Sequence, residues 1–75
     1  MEKEQLISEI SCGLMYSHYK QGGRYVVIDH DALERDDDGY WHRAIIYQSL
    51  NEHDYEKRYV RKYNDFLCSF NLFTE

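Results

Sequence analysis

The run Asp36-Asp37-Asp38-Gly39 constrains this chain more than any other segment. Asp-Gly is a hairpin dipeptide, because glycine readily takes the positive φ that a tight reversal needs. The residues on either side alternate. Before the turn, Arg24 to His30 is rich in β-branched and aromatic residues, with Tyr25, Val27 and Asp29 on one face and Val26, Ile28 and His30 on the other. A weaker continuation runs through Leu33. After the turn, Tyr40 to Leu50 places Trp41, Arg43, Ile45 and Tyr47 on one face and His42, Ala44 and Ile46 on the other. The centre of the chain therefore reads as two strands of one hairpin.

Shorter strands flank it. Leu14 to Lys20 alternates up to a Gln21-Gly22-Gly23 turn, and Asn51-Glu52-His53-Asp54 is a loop before a strand over Tyr55 to Arg61. In the tail, Tyr63, Phe66, Leu67 and Phe70 have helical spacing; one helical turn followed by a closing strand, Ser69 to Phe73, fits as well. At the other end, Leu6, Ile7 and Ile10 share a helical face, Glu2 and Glu4 suit a first turn, and Gly13 suits a C-terminal cap. Four or five short strands joined by tight loops remove their exposed edges by curling up. The expected architecture is mainly β: a short N-terminal helix over residues 1–13, then a small SH3-like barrel over 14–75 with a helical turn before its last strand.

Composition agrees with one small domain. Seventy-five residues leave room for a single core. Eight Tyr, three Phe and one Trp supply large buried areas, while four Gly and no Pro argue against a linker. The net charge of −5 opposes non-specific nucleic-acid binding, which rests on cations against phosphates, and suits a basic partner. The acidic residues crowd together: Asp29, Asp31, Glu34 and Asp36 to Asp38 share one stretch with a single base, Arg35. Such a run ordinarily marks a solvated hairpin tip. Cys12 and Cys68 read as free, buried thiols of a reducing compartment. The Met-Glu-Lys-Glu start is unlike a secretion signal, and no apolar run approaches the ~20 residues of a membrane helix. A cytoplasmic protein without a membrane partner is expected.

The segment Tyr16-Ser17-His18-Tyr19-Lys20, with Gly23 and Tyr25-Val26-Val27-Ile28 after it, resembles the opening of a bacterial and phage family, domain of unknown function 1653. Ile45-Ile46-Tyr47 resembles that family's Val-Val-Tyr segment, and Tyr59-Val60-Arg61 with Phe66 resembles its closing segment. The resemblance runs from Tyr16 to about Phe70 and implies an SH3-like fold. Asp31-Ala32-Leu33-Glu34 departs from the family's Ala-Arg-His-Ser-type segment, Lys62 stands where Pro is usual, and Ser17 where Arg is usual.

Four constellations bear on chemistry. His18, Lys20, Arg24, Arg43, Tyr47, Tyr59 and Arg61 form a basic and aromatic set; converging at a barrel rim, they would suit an anionic, ring-containing ligand. The bland alternative is that His18 and Arg61 satisfy buried backbone groups and the tyrosines are core. Asp29-His30-Asp31, with His42, has the residue types of a metal site, but strand alternation turns His30 away from both aspartates, so no metal and no cofactor is expected. Neither cysteine has the setting of a reactive thiol, and there is no phosphate loop or nucleophile elbow, so catalysis is not expected. Finally, exposed aromatics and the amphipathic helix would suit self-association into a homo-oligomer.

Two functions follow. One is a non-catalytic binder of a small anionic or nucleotide-like molecule; in a phage setting, which the resemblance permits, it would sequester a host immune signal. The other is an interaction module or inhibitor whose acidic hairpin, with Asp36, Asp37, Asp38 and Trp41, meets a basic protein surface.

Overall fold

The computed structural model describes residues 10–73. They form five strands, β1 (Met15–His18), β2 (Gly22–Arg35), β3 (Trp41–Ser49), β4 (Arg58–Lys62) and β5 (Phe70–Leu72), with one α-helix, α1 (Tyr63–Ser69), between the last two. All pairings are antiparallel, in one sheet of order β4-β3-β2-β1-β5.

The fourteen-residue β2 organises the sheet. Its register against β3 shifts between Val27 and Asp29 and again between Asp29 and Ala32. Bulges of this kind bend a strand and sharpen its twist. The first part of β2, up to Val26, also pairs with β1, and β3 pairs with β4 from Ala44 to Gln48. Past those limits Leu33–Arg35 and Trp41–Arg43 pair with each other alone, so the distal half of the hairpin is a two-stranded arm.

The expected closed barrel is not formed: β4 and β5 are the two edges of an open sheet. Instead α1 follows β4 without a loop and packs against β3, β4 and β5. It lays Phe66 over the apolar face, where Phe66 stacks on Phe70 with ring centroids 4.3 Å apart. The core is Ile10, Tyr16, Val27, Ile45, Tyr47, Phe66 and Phe70. The helix does what closure would have done, burying the apolar face between the edges.

Three further expectations change. The N-terminal helix of residues 1–13 falls largely outside the described residues; within them, Ile10 to Gly13 is not helical. There the Gly13 amide donates to the Val27 carbonyl at 3.0 Å, which extends the sheet instead, and Ile10 is buried in the core. The strand expected from Tyr55 begins only at Arg58, because Glu52–Asp54 forms a 3-10 turn and Glu56 takes a positive φ of 70°. The cysteines are free but exposed. Cys12 lies in the turn before β1 and donates to the Ile28 carbonyl at 3.2 Å, and Cys68 sits on the side of α1 away from Phe66.

Candidate functional site

Side chains directly opposite in an antiparallel pair point to the same face. Tyr47 lies opposite Tyr59, and Ile45 opposite Arg61. Tyr25 lies opposite Ser49, and His18 opposite Phe70. Alternation therefore lays Tyr25, Tyr47, Tyr59, Arg61, His18 and Phe70 on one face at one end of the sheet. They line a groove of about 300 Å³, completed by Gln21 from the β1–β2 turn and by His53 and Asp54 from the 3-10 turn.

The walls are aromatic. Tyr25 meets Tyr47 and Phe70 edge-to-face with centroids 5.5 Å apart in each pair, and the Tyr47 and Tyr59 rings lie 5.6 Å apart. Such contacts add to the stabilisation that burial alone gives and hold the rings in place. The 3-10 wall is pinned by polar bonds. Buried Ser49 donates through Oγ to Asp54 Oδ1 at 2.5 Å and accepts the Asn51 amide at 3.0 Å. Asn51 Oδ1 in turn accepts the Arg24 amide at 2.8 Å. Gly23, at φ +83°, leaves room for that clamp, since a Cβ there would lie 2.9 Å from the Asn51 side chain.

Electrostatics divide the polar groups. Tyr59 donates its hydroxyl to Asp54 Oδ2 at 2.6 Å, which pushes its own pKa up to about 12. The hydroxyls of Ser49 and Tyr59 hold the Asp54 carboxyl below its ordinary 3.8. Arg61 donates from Nε to the Tyr47 hydroxyl at 2.9 Å and from Nη1 to Asp65 at 3.3 Å, and its guanidinium lies 5.4 Å from the Phe70 ring centroid. Burial raises the Tyr47 phenol, with Arg61 opposing. His18 Nδ1 accepts the backbone amides of Lys20 and Gln21 at 3.1 and 3.2 Å. Burial first, then the charges of Arg61 and Lys20, lower the His18 pKa.

Of the residues expected to converge, His18, Tyr47, Tyr59 and Arg61 do so. Lys20 stands beside them in the turn, its ammonium 5.7 Å from the Tyr19 ring centroid. Arg24 and Arg43 do not join. Arg24 immediately precedes Tyr25 on β2, and alternation turns it to the opposite face, where its guanidinium lies 4.9 Å from the Phe73 ring centroid. Arg43 has the right face but sits toward the arm, stacked over Tyr63 at 4.0 Å and bonded to the His30 carbonyl at 2.9 Å. It helps to line a second groove with His42, Lys62 and Asp65.

The acidic arm is built differently. Asp36 makes the turn: Oδ1 accepts the Asp38 and Tyr40 amides at 3.0 and 2.9 Å, and Oδ2 lies 2.6 Å from His42 Nε2. That bond holds the Asp36 carboxyl below its ordinary value. Asp37 and Asp38 are exposed, and Leu33 and Trp41 are 64% and 61% exposed. Arg43 spans the residues considered for a metal, with Nη2 3.1 Å from His30 Nδ1 and Nε 3.5 Å from Asp31 Oδ1. Among the described residues no three metal-ligating side chains come together, and no helix is long and apolar enough to cross a membrane.

The sequence reading missed Tyr25, Gln21, His53, Asp54 and Phe70 as groove residues. Tyr25 carried a usable signal, since it shares the parity of buried Val27. Asp54 carried none, because its partners are fixed by the 3-10 turn.

No family model, curated protein or solved structure matches this chain.

Proposed function

We propose that the chain is a non-catalytic binding module for a small anionic, ring-bearing ligand of nucleotide type, held in the groove between β1, β3, β4 and the 3-10 turn. The observation that carries the reading is the convergence of Arg61 and His18 with the rings of Tyr25, Tyr47 and Tyr59 on one open groove. Rings offer a ligand stacking faces, and a guanidinium offers it a fixed charge. The volume, about 300 Å³, lies at the small end of ligand pockets and suits one ring with one charged group. The strand order, the bent β2 and the helix immediately before β5 support an SH3-like arrangement with an open side. In a phage setting, which the resemblance permits, such a module would sequester a host immune signal.

Melting the protein with a panel of nucleoside monophosphates tests this. A ligand at 100 times its Kd stabilises the folded state by about 2.7 kcal/mol. Arg61→Ala is expected to abolish the shift while the ligand-free protein stays folded, and Lys20→Ala, whose ammonium stands over Tyr19 outside the groove lining, to weaken it. A panel that moves the melting temperature nowhere contradicts the reading.

Exposed Leu33 and Trp41 beside Asp37 and Asp38 favour a second reading, in which the arm docks on a basic protein surface. Binding of that kind weakens with salt and in Asp37→Asn/Asp38→Asn; a partner held equally well by that variant argues against it.

A further inference from the structure

Backbone amides can only donate hydrogen bonds. With the Lys20 and Gln21 amides both directed at His18 Nδ1, that nitrogen must carry a lone pair, and the proton of the neutral ring sits on Nε2. The Tyr47 hydroxyl oxygen likewise accepts a hydrogen bond from Arg61 Nε, leaving its own hydrogen to be given elsewhere. Arg61 uses Nε and Nη1 on Tyr47 and Asp65, and Nη2 makes no hydrogen bond to the described residues. The carboxylate in the groove is occupied in the opposite sense: both Asp54 oxygens already accept a hydroxyl, from Ser49 and from Tyr59, and His53 Nε2 lies 3.6 Å from Oδ1.

We infer that the groove recognises its ligand through a donor set, His18 Nε2–H, Tyr47 O–H and Arg61 Nη2, and that His18 is locked by the β1–β2 turn as a hydrogen-bond donor to the oxyanion of a ligand that also bears an aromatic ring. This rests on the groove being the ligand site. The aromatic walls alone would also suit a quaternary ammonium ion. That ligand needs an unengaged carboxylate or open ring faces, whereas here the acid is occupied and a guanidinium lies beside the rings. Phosphate and carboxylate share the required chemistry, an acceptor-only group that takes several donors at once.

Two substitutions separate the two nitrogens of the ring. His18→Asn keeps an acceptor at the position of Nδ1, able to take the turn amides, but lacks the distal donor. His18→Gln carries an amide donor near the position of Nε2 and weakens the turn. Titrations of both variants and the unmodified chain would use AMP, GMP, CMP and UMP as ring-bearing phosphates, nicotinate as a ring-bearing carboxylate, adenosine as an uncharged ring and tetramethylammonium as a cation. The expected result is binding of a ring oxyanion by the unmodified chain, with adenosine at least tenfold weaker than AMP if the phosphates are the ligands. His18→Asn is expected to lose about tenfold or more, the loss typical of a hydrogen bond to a charged group, while His18→Gln stays within severalfold. If a ring oxyanion binds but His18→Asn binds it as well as the unmodified chain, the donor assignment is overturned and the proposed function stands. If no oxyanion binds, or tetramethylammonium alone does, both fall. Nitrogen NMR of the His18 ring needs no ligand and no variant: protonation at Nε2 at neutral pH is expected, and a proton on Nδ1 overturns the assignment.

Discussion

The two ends of the β2–β3 hairpin have the same alternating pattern and opposite fates. At the proximal end, Ile45 and Tyr47 are buried, at 0% and 5% exposure, under α1 and β5. At the distal end Trp41, on the same face of the same strand, is 61% exposed, with the Arg35 guanidinium 6.0 Å from its ring centroid. Periodicity states which residues share a face. What covers that face is decided by segments distant in sequence: β1 and β5 reach only the proximal half, and α1 extends toward the arm no further than Tyr63 against Arg43. The covered end gathers rings, a guanidinium and a neutral imidazole into a groove, whereas the uncovered end is an acidic arm held by its own turn.

Core truncation should break this contrast most forcefully. Phe66→Ala removes a ring that is 1% exposed and should cost about 3–5 kcal/mol, a large share of a small domain's stability. Trp41→Ala, the larger truncation, should change stability by no more than about 0.5 kcal/mol because the arm is open. Chemical denaturation of the two variants measures both. Equal losses would mean that the arm packs on something.

That contrast also marks what the sequence could tell. The hairpin, the flanking strands and the helical turn before the last strand were legible, because each rests on local alternation or turn chemistry. Closure was not, because the gap between β4 and β5 is filled by Phe66 from α1, a long-range event. For the site, His18, Tyr47, Tyr59 and Arg61 were found because strand parity places them together. Arg24 was grouped by charge although its parity opposes Tyr25, and Arg43 has the right parity but lies too far along β3. Asp54 was invisible because its bonds to Ser49 and Tyr59 depend on how the Asn51–Asp54 segment folds back.

Acid should sharpen the comparison with a smaller effect. The folded-state pKa of His18 lies below its ordinary 6.5, so its contribution is present above 6.5 and is lost as pH falls through the lowered value. Protonating Nδ1 breaks the bonds from the Lys20 and Gln21 amides. Asp36 is held below its ordinary 3.8, so the arm keeps its turn until the pH falls below that. Amide NMR shifts of Lys20 and Gln21 should therefore move at higher pH than those of Asp38 and Tyr40. The reverse order would show that the turn at His18 is not held by the neutral ring.

The most direct test of the account is a residue-by-residue NMR map of the chain during titration with AMP. Shifts are expected at His18, Gln21, Tyr25, Tyr59 and Arg61, with Asp37, Asp38 and Trp41 unmoved. Shifts confined to the arm, or none at a millimolar excess of AMP, GMP, CMP, UMP or nicotinate in turn, would contradict that site.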